Sequence, residues 1–302
     1  MEAGGVNSVH IAAMSGAAFA ATSAAAFAAG GRSPAPRPFE RIVVFGDSLS
    51  DSGNGGRFSN GPVWVERLAR YFGVALLPAA RGGTNFAVGG APIDGPPGSQ
   101  SLGEQLRLYL ERYRREAAAA DATRTLHVLF GGANDIFAAM YEPAPGSAVI
   151  KAADTMARIV ADLIAQADTR HVFVVNLPDI GATPAVRAAG PEAMRAVRML
   201  SIAFNTALDR VLRAAEADAS VPVAIRCLDL FTLSERVFAE PQRFGFRNVT
   251  DACLDRREDP AGCLFWDEIH PTTAAHAKLA EAAIAALLPS SPVPPQCDGG
   301  HS

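Results

Sequence analysis

Four short loops of this chain hold residue types suited to acyl transfer. In FGDSLSDSGN (residues 45–54) an apolar run ends at Gly46, and Ser48 sits on the tight turn that follows. A hydroxyl there projects from a sheet edge, where the amides of the next helix favour a developing anion. TNFAVGGA (84–91) carries Gly89 and Gly90, and GGANDI (131–136) places Asn134 after two glycines. A backbone N–H and an Asn amide aimed at one point make an oxyanion hole. In LFWDEIHPTTAAH (264–276) Asp267 and His270 are three apart and share a face of a helical turn. An Asp that orients an imidazole is what a Ser nucleophile requires. Each loop alone has a plainer explanation: an N-cap for Ser48, ordinary turns for the glycine pair and Asn-Asp, an exposed His at a helix start for His270.

The other histidines compete poorly. His10 and His301 lie near the two ends, His127 falls inside an expected strand, His171 opens another, and His276 lies on the last helix. Only His270 combines a strand-end loop with a nearby carboxylate. No H-E-x-x-H, His-Cys cluster or G-x-x-x-x-G-K-[ST] occurs, so neither metal nor P-loop chemistry has a motif, and no cofactor is expected.

The elements that must position these loops can be read from periodicity. RIVVF (41–45), VALLP (74–78), TLHVLF (125–130), HVFVVNLP (171–178) and VPVAIRCL (221–228) are short, apolar and do not alternate, as strands buried on both faces do. Between them Trp64, Val65, Leu68 and Phe72, then Leu102, Leu106, Tyr109 and Tyr113, recur at helical spacing. Further helices are expected over about 148–167, 191–218 and 272–288. Strand and helix in alternation predict an α/β fold with a parallel sheet covered on both sides. Ligands in such folds sit beyond the carboxyl ends of the strands, where the four loops fall.

Composition narrows the partners. The 302 residues are 49% hydrophobic and carry a net charge of −4 without a basic stripe, which argues against nucleic acid and anionic lipid surfaces. Residues 3–31 lack Lys, Arg, Asp and Glu, and twelve of the first 29 residues are Ala, so residues 1–29 read as an export signal with an atypical n-region. Residues 30–39 form a proline-broken linker, 40–288 the folded domain and 289–302 a proline-rich tail. Secretion or a periplasmic location follows from the signal; a disordered Ala-rich extension is the alternative. The domain is long enough to fold alone, so a monomer without stable membrane insertion is expected.

Four cysteines occupy the last quarter: Cys227, Cys253, Cys263 and Cys297. Cys253 and Cys263 flank the polar stretch LDRREDPAG, which an exported chain can close with a disulfide, leaving Cys227 and Cys297 as the other pair. In a reducing compartment all four are free thiols.

Taken together the four loops resemble the GDSL family of lipases and esterases, within the SGNH hydrolase superfamily. The family's name residues match Ser48, Gly90, Asn134 and His270, and similar stretches include GRFSNGPVWVERLA (56–69), FNTAL (204–208) and GFRNVTDACL (245–254). The resemblance runs over about 40–288. It implies a three-layer α/β/α sandwich, flavodoxin-like, with a parallel five-stranded sheet of order 2-1-3-4-5. It implies Ser48 as nucleophile, His270 as general base and then acid, Asp267 as its orienter, and an oxyanion hole from the Ser48 and Gly90 N–H groups with the Asn134 side chain. Gly89 is the alternative should the glycine register shift by one. The resemblance points to a secreted carboxylic ester hydrolase acting on small-molecule or lipid esters. An acyltransferase using the same acyl-enzyme is one alternative. A non-catalytic lipid or carbohydrate binder is another, which the intact Ser, Asp and His disfavour. The Cys253–Cys263 loop, with Phe244, Phe246 and Phe265, forms one wall of an acyl site or simply packs.

Overall fold

The computed structural model describes residues 38–116 and 122–288. The export signal (1–29), most of the linker and the tail (289–302) lie outside the described residues. Four parallel strands, β1 (Arg41–Gly46), β2 (Thr125–Phe130), β3 (His171–Val175) and β4 (Ala224–Leu228), pair in the order β1-β2-β3-β4. Every residue of β2 is buried, as is β1 from Ile42 onward, which is why these strands lack alternation.

The helices are α1 (Trp64–Phe72), α2 (Leu102–Glu116), α3 (Ala133–Ala139), α4 (Pro145–Gln166), α5 (Pro184–Ala188), α6 (Pro191–Ala217), α7 (Leu230–Ala239), α8 (Cys253–Arg256) and α9 (Thr273–Leu287). Crossovers from β1 towards β4 run through α2, α4 and α6, and right-handed connection puts these three on one face. They pack on one another there, while α1 packs against α9 and α9 against β4. The sheet is thus covered on both sides, the α/β sandwich expected. Its core runs from Phe45, Phe130 and Phe173 of the strands to Trp64 of α1 and Phe204 of α6, all fully buried. Each such side chain contributes roughly 1.5–3 kcal/mol by leaving water.

One expected strand is absent. VALLP (74–78) is irregular chain, and residues 84–88 take the place beside β1 instead. Val44 N–H donates to the Thr84 carbonyl at 3.0 Å, and Phe86 N–H and Val88 N–H donate to the Val44 and Gly46 carbonyls at 2.8 and 3.1 Å. Only isolated bridges result, Val44 to Asn85 and Pro78 to Asn85, so the described sheet has four strands and not five. Pro78 lacks a donor, and the Asn85 side chain turns inward to the Ser50 carbonyl and Ser52 Oγ, both at 2.8 Å.

Candidate active site

Ser48 follows β1 at a position that tolerates only glycine before it: a Cβ on Gly46 would lie 2.5 Å from the Phe130 carbonyl oxygen of β2. The Gln105 side chain of α2 caps this strand end, accepting from Gly46 N–H at 2.9 Å and donating to its carbonyl at 2.8 Å. Asp51 secures the turn beyond. Its Oδ1 accepts from Gly53 and Asn54 N–H at 2.8 and 2.7 Å, and its Oδ2 from Gly55 and Gly89 N–H, both at 2.9 Å. The Asn54 amide then donates to the Asn85 and Ala87 carbonyls at 2.8 Å each. Spacing alone does not single out Asp51, Asn54, Asn85 or Gln105, although Asp-Ser-Gly-Asn is itself a turn signal.

His270 and Asp267 arrive from 222 and 219 residues away. His270 Nε2 lies 3.0 Å from Ser48 Oγ, and its Nδ1 lies 2.8 and 3.0 Å from Asp267 Oδ2 and Oδ1. A carboxylate only accepts, so Nδ1 carries the proton, Nε2 is the acceptor and Ser48 donates to it. The backbone N–H groups of Ile269 and His270 also donate to Asp267 Oδ1, at 2.9 and 2.7 Å. Partial burial works to raise the Asp267 carboxyl, but the hydrogen bonds from His270 and Ile269 outweigh it and hold the group below its ordinary value. Phe58 packs against the imidazole, ring centroids 5.2 Å apart. Its ring also occupies the place where a Cβ on Gly89 would sit, 2.1 Å from Phe58 Cε2.

Gly90 adopts φ +78°, the left-handed region that favours glycine. Gly89 N–H is committed to Asp51, whereas the Gly90 and Ser48 N–H groups have no hydrogen-bond partner among the described residues. Asn134 opens α3 and spends one amide hydrogen on the Ala91 carbonyl at 3.0 Å. Ser48, Gly90, Asn134 and His270 border one cavity of about 320 Å³. Of the glycine pair, Gly90 borders this cavity.

Two acidic groups beside these residues sit in unusual surroundings. Asp47 is fully buried; Leu49 N–H donates to its Oδ1 at 3.0 Å, but its Oδ2 has no hydrogen-bond partner. Burial pushes its carboxyl up to about 7 against the lowering effects of Leu49 N–H and His270. Burial likewise raises Asp135, which accepts from Ile93 N–H, to about 6. His127 and His276 are buried, and burial depresses both to about 3. The first bonds Tyr109 Oη at 2.9 Å, and the second accepts from Trp64 N–H at 3.3 Å. Among the described residues no group of three or more His, Cys, Asp or Glu side chains is placed to hold a metal ion.

The cysteine loop departs from its expectation. Cys253 and Cys263 are buried free thiols, not a disulfide. They lie side by side, and each has a loop acceptor, the Glu258 carbonyl for Cys253 at 3.0 Å and the Asp259 carbonyl for Cys263 at 3.6 Å. Burial and the neighbouring Cys253 push the Cys263 thiol up to about 12. Cys227 is disulfide-bonded, while its expected partner Cys297 lies outside the described residues.

The sequence pattern of the GDSL-like lipase/acylhydrolase family matches residues 42–283. The chain belongs to this family. Among similar proteins, thermolabile hemolysin of Vibrio parahaemolyticus is 27% identical over 282 residues. That match takes in 82% of this chain, which spans 63% of the hemolysin's length. Phosphatidylcholine-sterol acyltransferase of Aeromonas hydrophila is 25% identical over 313 residues, covering 81% of this chain and 89% of that protein. Among solved structures, a lipolytic G-D-S-L family member from Veillonella parvula overlaps 82% of this chain and 97% of its own at 16% identity and a TM-score of 0.46. Among the described residues no helix is long and apolar enough to cross a membrane.

Proposed function

We propose that the chain is a secreted serine carboxylic ester hydrolase working through an acyl-enzyme on Ser48. The observation that carries this reading is the continuous hydrogen-bonded line Asp267–His270–Ser48 at the edge of an apolar cavity. As Ser48 Oγ attacks the ester carbonyl, His270 Nε2 takes its proton, and Asp267 stabilises the imidazolium that forms. The Ser48 and Gly90 N–H groups and the second amide hydrogen of Asn134 receive the oxyanion. His270 then returns the proton to the departing alcohol. Water, activated by the same imidazole, releases the acid. Family membership supports this chemistry. The Ala-rich first 29 residues, without Lys or Arg and with small residues at their end, support export.

A second reading keeps the acyl-enzyme and delivers it to an alcohol. The similarity to an acyltransferase over 81% of this chain favours it. A fluorophosphonate probe should label Ser48 stoichiometrically, and Ser48→Ala should abolish both labelling and p-nitrophenyl ester turnover; full activity in that variant overturns the assignment. Added alcohols decide between the readings, because a transferase forms a new ester in competition with free acid.

A further inference from the structure

The cavity that borders Ser48 reaches well beyond the residues of the proposed chemistry. The helix α7 turns one face to it, with Leu230, Leu233, Ser234, Val237 and Phe238 at the spacing of successive turns. Opposite them α9 and its approach contribute Pro271, Ala275, Lys278 and Leu279. Residues 230–238 of α7 advance about 12 Å along the helix axis and residues 273–279 of α9 about 9 Å, at 1.5 Å per residue. Phe246, Leu264 and Phe265 close the side towards the cysteine loop. Hydroxyls in the lining are already spent: Ser234 Oγ donates to the Phe231 carbonyl at 2.7 Å and Thr183 Oγ to the Ile180 carbonyl at 2.9 Å. The lining keeps two polar atoms without a hydrogen-bond partner, Asp179 Oδ1 and His276 Nε2, but the α7 face is mostly aliphatic and aromatic and suits an alkyl chain.

The cavity ends at a partition. Leu233 and Lys278 also line a second cavity, whose other walls include Arg236, Arg243, Phe244 and Glu281. The Lys278 ammonium is turned to Glu281, 3.0 Å away, which leaves its methylene stem as the apolar part of the wall. An alkyl chain passing the partition would enter charged surroundings and desolvate them at a cost.

Resting on the ester-hydrolase reading, we infer that the cavity is the acyl site and that Leu233 with Lys278 sets the chain length it accepts, at about ten carbons. The length follows from reach: the α7 face from Leu230 to Phe238 is about 12 Å long, and an extended chain advances roughly 1.2 Å per bond, since the three backbone bonds of an extended residue span ~3.3–3.6 Å. Acyl esters of medium length are thereby the preferred substrates, and Val237 and Leu233 are specificity-determining residues.

The test is a chain-length profile of kcat/KM for p-nitrophenyl esters from acetyl to hexadecanoyl, in one detergent, on full-length enzyme whose Ser48 takes a fluorophosphonate label. Values should rise by up to about fourfold per added methylene, peak between octanoyl and dodecanoyl, and fall at hexadecanoyl. Val237→Trp should fill the cavity and move the peak to shorter chains. Leu233→Ala should join the two cavities and move it to longer ones. In enzyme that labels and turns over esters, a wild-type peak at acetyl or butyryl overturns the inference, as does a peak that neither variant moves. Absence of labelling in the wild type instead overturns the hydrolase reading, and the acyl-site inference falls with it.

Discussion

The two halves of the candidate site are built differently. On the nucleophile side Asp47 and Asp51 are 1% and 0% exposed and Ser48 is 8%, and bonds from Asp51, Asn54, Asn85 and Gln105 join segments 31 to 59 residues apart. The base side is more open, with side-chain exposures of 17% for His270 and 37% for Asp267. The Asp267 carboxylate is held locally, accepting from residues two and three positions on, while the backbone of its turn is tied to distant segments: Ala185 N–H donates to the Glu268 carbonyl at 3.0 Å and Ser59 Oγ to the Pro271 carbonyl at 2.9 Å. A small apolar cluster of Val237, Phe246 and Ala275, with Leu264 and Phe244 packed against it, lies on this side, apart from the main core. The nucleophile turn is thus fixed by buried side chains from several segments, whereas on the base side the backbone is tied at a distance and the more exposed Asp267 carboxylate answers to its own turn.

That contrast can be broken first at Asp267. Asp267→Asn removes the group that selects the imidazole tautomer, so kcat should fall by ~10⁴ with KM little changed and Tm nearly that of the wild type. A loss confined to KM would contradict the role. Asn134→Ala deletes one oxyanion donor from the rigid side and should cost ~10²–10³ in kcat; single-turnover measurements locate the loss in acylation. Asp51→Ala takes four N–H groups' acceptor away at once. It should destabilise by about 2–4 kcal/mol in chemical denaturation, lowering Tm by roughly 2–4 °C for each. Equal stability of Asp51→Ala and the wild type would mean that the nucleophile side is no more tightly held than the base side.

The smallest effect concerns pH. Folded Asp47 keeps its proton up to about 7, whereas an unfolded Asp gives it up near its ordinary value of 3.8. The folded state therefore gains below pH 4, and that gain is lost as pH rises through 7. Asp135, raised to about 6, acts in the same sense. Tm of the wild type, followed by scanning fluorimetry, should decline across this window. Asp47→Asn should decline less and stand a few degrees above the wild type at pH 8. Parallel curves would show that Asp47 does not carry the effect.

Much of the site was legible because its parts are local. Asp267 and His270 stand three residues apart, and a turn of that length brings them together whatever surrounds it. The strands β1, β2, β3 and β4 were readable because burial on both faces demands an unbroken apolar run. VALLP misled for the same reason: it is apolar enough for a strand, but the edge position was won by residues 84–88. Their strand character is masked by Asn85, a polar residue turned inward to hold the Ser50 turn. Three of the donors to Asp51, Gly53, Asn54 and Gly55, lie in its own turn and read as turn chemistry, while the fourth, Gly89 N–H, comes from 38 residues on and is set only by the fold.

Local covalent spacing thus determined the Asp-His pair, the Ser48 turn, the parallel α/β character and the family. Tertiary structure decided what spacing cannot encode. It brought His270 within 3.0 Å of Ser48 across 222 residues and committed Gly89 to Asp51 so that Gly90 faces the cavity. It left Cys253 and Cys263 as free thiols and made a deep apolar cavity from α7 and α9. The physical reason is range: backbone geometry relates neighbours a few residues apart, while the distance between far segments is fixed only when the sheet and the helices on it pack.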